Sequence, residues 1–181
     1  MKHAFFTILF SSLAAVTFAD AQVGRVLEAV DRLHRWDRTV VVFAGDNGFH
    51  AGEHGRFGKN TLYEEASRVP LVIATAAVKE PGTATRRVVE LVDVYPTLVD
   101  LCGLPPVPGL DGVSLRPLLE DPEADVKSAA FSQYVRRPRN SPDGNRYMGY
   151  AMRTEVHARA NSVSARSGPS VGPAIPIVKC A

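Results

Sequence analysis

Apolar residues recur at Val16, Ala19, Val23, Val26, Leu27, Val30 and Leu33, with Asp20, Arg25, Glu28, Asp31 and Arg32 between them. That spacing predicts an amphipathic helix over residues 13–33. A polar turn, residues 34–38, then gives way to Thr39-Val40-Val41-Val42-Phe43-Ala44. An unbroken β-branched run of this kind predicts a strand buried on both faces, as in a parallel sheet. It stops at Gly45-Asp46-Asn47-Gly48, and residues 48–68 then carry four glycines and much charge. Such a segment is too polar for a core, and long loops inside compact domains usually carry function. Val69-Pro70-Leu71-Val72-Ile73-Ala74 reads as a second buried strand, with Pro70 tolerable near its start.

Downstream, residues 88–92 predict a short strand and Asp93 an N-cap, with Pro96 in the first turn of a helix that ends at Gly103. Tyr95, Leu98, Val99 and Cys102 share one face of it, so Cys102 is expected to be a small buried hydrophobe. Residues 104–112 hold three prolines and two glycines and form an irregular connection, followed by a helical turn over 114–119 and a strand over 129–134. The basic, proline-rich stretch 136–146, with Arg136, Arg137 and Arg139, reads as a solvated loop. From Glu155 onward Ser, Ala, Gly and Pro dominate and neither period survives, which predicts a poorly ordered tail. Helix alternating with buried strand gives an α/β class.

At 181 residues, 45% hydrophobic and 22% charged, the chain suits one globular domain or a large piece of one. A formal charge of +2, with no Lys/Arg run longer than two, gives no electrostatic case for nucleic acid. Cys102 and Cys180 lie in no metal-type cluster, so neither zinc nor a disulfide framework is supported. No apolar stretch is long enough for a membrane span. Met1-Lys2-His3, an apolar region and Ala19-Asp20-Ala21 resemble a secretory signal, yet cleavage there would cut the predicted helix. Both readings stay open: periplasmic or secreted if the signal is real, cytoplasmic otherwise.

Chemistry concentrates at the end of the first strand. Asp46 and Asn47 place a carboxylate and a carboxamide beyond its C-terminal edge, where open α/β sheets bind ligands. Their oxygens suit a hard divalent cation, Ca²⁺ or Mg²⁺, and Lys59 could set a positive charge beside an anionic substrate. Asp-Asn-Gly is equally a good turn sequence, because Asn and Gly tolerate positive φ. The tripeptide alone leaves both readings open.

Three blocks, in order and at specific spacing, resemble the C-terminal portion of a sulfatase in the alkaline-phosphatase-like superfamily. They are residues 20–27, residues 46–70 (from Asp46-Asn47-Gly48 through Gly52-Glu53-His54-Gly55 and Gly58-Lys59 to Arg68-Val69-Pro70), and Asp93-Val94-Tyr95-Pro96-Thr97-Leu98 with residues 110–119. Within the family the iduronate-2-sulfatase-like branch is most similar, matching also at residues 131–134 and 148–150. The resemblance implies a partial α/β/α sandwich with a mostly parallel sheet, truncated, and three regions: a leader at 1–12, the sulfatase-like part at 13–154 and a divergent tail at 155–181. It also implies sulfuric-ester hydrolysis on a substrate such as a sulfated sugar, with a divalent cation, usually Ca²⁺, held partly by Asp46 and Asn47. Lys59 would touch the sulfate, while His54 is a catalytic and substrate-binding candidate that could equally order its loop. Glu64, Glu65 and Arg68 read as structural, with Arg68 pairing a carboxylate.

The departures are specific. The family makes formylglycine from a Cys or Ser in C/S-x-P-S-R, and no such motif is present; Ser167-Gly168-Pro169-Ser170-Val171 lacks the Arg. The family's two N-terminal Asp ligands have no counterpart here, so Asp46 and Asn47 are the only ligand residues. Residues 1–12 stand where a longer region is expected and the sequence diverges after Thr154, which suggests a truncated or frame-shifted gene. Two alternatives stay open: a non-catalytic remnant, and a phosphonate or phosphodiester hydrolase of the same superfamily. Oligomeric state is not legible.

Overall fold

A computed structural model describes residues 2–136, 147–155, 158–164 and 177–179. Arg137, Arg139, Ser167 to Val171 and Cys180 lie outside the described residues. The chain divides into two compact units, Met1–Thr39 and Val40–Ala181.

The first unit is helix α1, Lys2–Arg32, closed by a 3-10 turn at Trp36–Arg38. It begins eleven residues before the predicted start, because nothing in residues 2–12 is a Gly or Pro that would break a helix. It runs unbroken through Ala19-Asp20-Ala21. The Trp36 indole N–H donates to Asp31 at 2.5 Å, and Arg25 donates to Gln22 at 2.8 Å. Among the described residues no helix is long and apolar enough to cross a membrane.

The second unit opens with strand β1, Val41–Ala44, followed by β2, His50–Ala51, β3, Phe57–Gly58, and the short helix α2, Glu64–Ser67. Strand β4, Leu71–Ala74, then returns beside β1 with Val41 opposite Ala74 and Ala44 opposite Leu71. Strand β5, Val88–Glu90, leads into helix α3, Val94–Leu101, and helix α4, Arg116–Glu120. Strands β6 (Ala130–Arg136), β7 (Tyr147–Arg153) and β8 (Ala158–Ser164) form a meander, and β9 (Ile177–Lys179) pairs with β5. Two stretches of the segment after Glu155 are thus strands, where composition predicts little order.

The class is mixed α/β, but every described ladder is antiparallel, which corrects the expectation of a mostly parallel sheet. Between β1 and β4 the only α-helix is the four-residue α2, so the chain folds back on itself instead of crossing over the sheet. The core gathers Val69, Leu71, Val89, Leu115 and Leu118, with Val42, Ile73 and Val94 packed against it.

Helix α3 keeps only part of the predicted face inside: Val99 is buried and Leu98 half-buried, joined by Thr97. Thr97 is buried at 1% exposure because its hydroxyl donates to the Asp93 carbonyl at 2.6 Å and accepts from Leu115 N–H at 2.8 Å. Tyr95 and Cys102 are left exposed, so Cys102 is not the buried hydrophobe expected. Gly103 stops the helix with φ +63, as predicted.

Candidate active site

The turn after β1 is pinned at both ends. Gly45 N–H donates to the Pro70 carbonyl at 3.0 Å and Gly48 N–H to the Ala66 carbonyl at 2.9 Å. Between these two bonds stand Asp46, exposed, and Asn47, half-buried. Gly48 approaches α2 so closely that a Cβ there would overlap the Glu65 carbonyl. The chain bends here without the positive φ that Asn-Gly would allow, held by bonds to the α2–β4 segment instead of by a turn closed on itself.

From this turn the chain enters a two-stranded ribbon in which His50 faces Gly58 and Ala51 faces Phe57. Asn47 precedes His50 by three residues and Lys59 directly follows Gly58, so the Asp46-Asn47 turn and Lys59 leave the ribbon at the same end. By strand alternation Phe49, Ala51 and Phe57 fall on the face opposite His50. Burial agrees, since His50 is sealed at 0% while Phe49 and Phe57 stand 63% and 80% exposed. Lys59 is exposed, and among the described residues its ammonium has no ion pair.

His54 sits at the other end, in the tip of the ribbon, with φ +54. Its Nε2 lies 3.3 Å from Oε1 of Glu65, and its ring stacks on Tyr63 with centroids 4.5 Å apart at 25°. These contacts tie the tip back to α2. The neighbouring Glu53 carboxylate accepts from the Ala51 N–H at 2.7 Å. Its own backbone N–H first, and that of Ala51 next, hold it below the usual 4.5. Glu64 is structural as expected, but its partner is Arg153 on β7, at 2.5 Å, whereas Arg68 is exposed with no ion pair among the described residues.

Asp46 and Asn47 are the two cation ligands expected from the sequence, and among the described residues no group of three or more His, Cys, Asp or Glu is placed to hold a metal. A Ca²⁺ ion takes about 6–8 oxygens. These residues fit one corner of such a site and not a whole one. A cavity of about 200 Å³ lies between β4 and α4, lined by Leu71, Ile73, Leu115 and Leu118 among others, and none of the four candidate residues lines it.

Two features escaped sequence reasoning. His50 looked like one more polar loop residue, yet it is fully buried with Nε2 2.7 Å from Oγ1 of Thr61. Lys127 carries no motif, yet its ammonium bridges Glu90 and Asp93. The alternation Phe49-His50-Ala51 was the available signal for the first; the second had none.

Comparison with known proteins places these elements. The sequence model of the sulfatase family matches residues 7–104, more than half of the chain. N-acetylglucosamine-6-O-sulfatase of Bacteroides thetaiotaomicron is 35% identical over 129 residues, covering 70% of this chain and 23% of that protein. Human iduronate 2-sulfatase is 31% identical, covering 80% of this chain and 36% of its own length. The chain therefore spans between about a fifth and about a third of these relatives. A protein solved in complex with its substrate D-glucosamine-2-N,6-O-disulfate superposes with a TM-score of 0.63 at 29% identity, over 80% of this chain and 31% of that one.

Proposed function

Because the chain belongs to the sulfatase family, we propose that it supplies the lysine side of a sulfate-ester pocket and part of its cation site in a sulfuric-ester hydrolase. The carrying observation is the common ribbon end from which Asp46, Asn47 and Lys59 emerge. Lys59 presents a cation not engaged by any carboxylate described. In a pocket closed to water such a charge stabilises negative charge developing on the sulfuryl or leaving oxygens. Asp46 and Asn47 would hold one side of a divalent cation, which in this chemistry polarises a sulfate oxygen. His54, engaged by Glu65 and Tyr63, orders the loop tip.

A sulfated sugar is the substrate class this face supports. Phe49 and Phe57 present open aromatic surface on the ribbon that Lys59 follows, suited to the C–H face of a pyranose. The similar protein solved with a sulfated glucosamine supports the same class. No Cys/Ser-x-Pro-Ser-Arg segment occurs in these 181 residues, so the chain by itself is expected to turn over no ester.

The test is a chimera in which residues 13–154 replace the matching segment of the Bacteroides thetaiotaomicron sulfatase. Sulfate release from an aryl sulfate and from a 6-sulfated glucosamine is measured for the chimera and for the 181-residue chain. Turnover by the chimera alone is expected. A chimera that folds, judged by near-UV circular dichroism, yet hydrolyses neither ester overturns the reading.

A further inference from the structure

The geometry points to His50 as the positioning residue for Lys59, an inference that rests on the role of Lys59 proposed above. Lys59 follows Gly58, whose φ of +126 belongs to a region that glycine alone visits freely. A glycine immediately before a functional side chain is a hinge, and something must hold it. His50 holds it twice. Its backbone faces Gly58 in the β2–β3 ladder, and its imidazole Nε2 reaches 2.7 Å to Oγ1 of Thr61 on the far side of Lys59. Thr61 in turn donates its N–H to the Lys59 carbonyl at 2.8 Å, and its hydroxyl accepts from Tyr63 N–H at 3.3 Å. Lys59 is thus bracketed on both sides by contacts that converge on one residue, through its backbone on the Gly58 side and through its imidazole on the Thr61 side.

The surroundings keep this clamp dry. His50 is at 0% exposure and Thr61 at 9%. The Tyr63 ring meets the imidazole edge-on at 5.9 Å and the His54 ring does so at 6.0 Å. Nδ1 of His50 is buried without a hydrogen-bond partner. The tautomer that avoids an unsatisfied buried N–H carries its proton on Nε2, so His50 donates to the Thr61 hydroxyl.

The 181-residue chain tests this without any turnover, because trypsin reads the mobility of the Lys59–Asn60 bond directly. Thr61→Val keeps the shape and deletes the hydroxyl; His50→Gln can reproduce the Nε2 donor; His50→Ala removes both ring and donor. Cleavage after Lys59, followed by mass spectrometry and normalised to cleavage after Lys127, is expected to rise about fivefold in Thr61→Val and more in His50→Ala, through local opening. His50→Gln is expected to remain close to wild type. Unchanged normalised cleavage in Thr61→Val overturns the inference, as does His50→Gln behaving like His50→Ala. The two proposals fail separately: an inactive chimera with the trypsin pattern intact removes the sulfatase reading alone, and an active chimera with no trypsin effect removes the clamp alone.

Discussion

The Lys127 ammonium donates to Oδ1 of Asp93 at 2.7 Å, with the lysine side chain 12% exposed and the aspartate 0%. Asp93 also accepts from the N–H groups of Glu90 at 2.7 Å and Val113 at 2.9 Å, so one carboxylate joins β5, the start of α3 and the connection to α4. Oε2 of Glu90, 2.6 Å from the same ammonium, completes the group, while its Oε1 accepts from Phe131 N–H on β6. Removing this cation would strand the buried Asp93 carboxylate and the half-buried one of Glu90. Lys127→Met is expected to destabilise the chain by about 3–5 kcal/mol, read by urea unfolding at neutral pH. A loss under about 1 kcal/mol would mean that water already screens the group.

The close approach of Gly48 to α2 makes a second expectation. A methyl group there meets the Glu65 carbonyl, a backbone atom that cannot swing aside. Gly48→Ala should cost about 1–3 kcal/mol and displace the turn that carries Asp46 and Asn47. Urea unfolding gives the cost, and amide chemical-shift changes centred on residues 45–49 and 65–67 would show the displacement. Shifts spread evenly over the unit would contradict a local clash.

Asp100 sets a pH dependence. The Ser114 hydroxyl, donating to Oδ2 at 2.6 Å, and Arg116, donating to Oδ1 at 3.1 Å, hold the Asp100 carboxyl below its usual 3.8. A depressed carboxyl adds stability at pH above its unfolded value, and that increment is lost as pH falls through the folded value. Both charged partners are more than a third exposed, so screening limits the increment to under about 1 kcal/mol. Asp100→Asn should therefore be slightly less stable than wild type at about pH 7 and converge with it below about pH 3. A gap that persists undiminished in acid would contradict the assignment.

The existence of strands β1 and β4 and the end of helix α3 were legible in the sequence because each is specified by its own residues, two β-branched runs and a terminal Gly. But β1 is half-buried to exposed where burial on both faces was expected, and Asp93 turns its carboxylate to Glu90 and Val113 N–H instead of capping α3. What escaped depends on partners far along the chain. Strand direction is one case, since a Val-rich run looks the same in a parallel and an antiparallel pair. Cys102 is another: the inward Thr97 hydroxyl is met by Leu115 N–H, eighteen residues away, as well as by the Asp93 carbonyl. His50 became a buried clamp through Thr61, eleven residues on. Asp46, Asn47 and Lys59 could be named from their motif, but their common ribbon end follows from the His50–Gly58 pairing.

Cation binding follows from ligand count. With two ligand residues where Ca²⁺ takes about 6–8 oxygens, the 181-residue chain is expected to show no saturable Ca²⁺ binding below about 1 mM by titration calorimetry. In the chimera, chelation should abolish turnover and Ca²⁺ restore it. Submillimolar binding by the chain alone would reveal ligands beyond Asp46 and Asn47.

The most direct measurement compares two exposed cations of the same ribbon in the chimera, Lys59 and Arg56. Lys59→Met is predicted to lower kcat/KM for sulfate release by about 100-fold or more, with Arg56→Met within about twofold of the parent. Equal, small losses for both variants would show that Lys59 contributes only general surface charge, and the sulfate pocket proposed at this ribbon end would have to be abandoned.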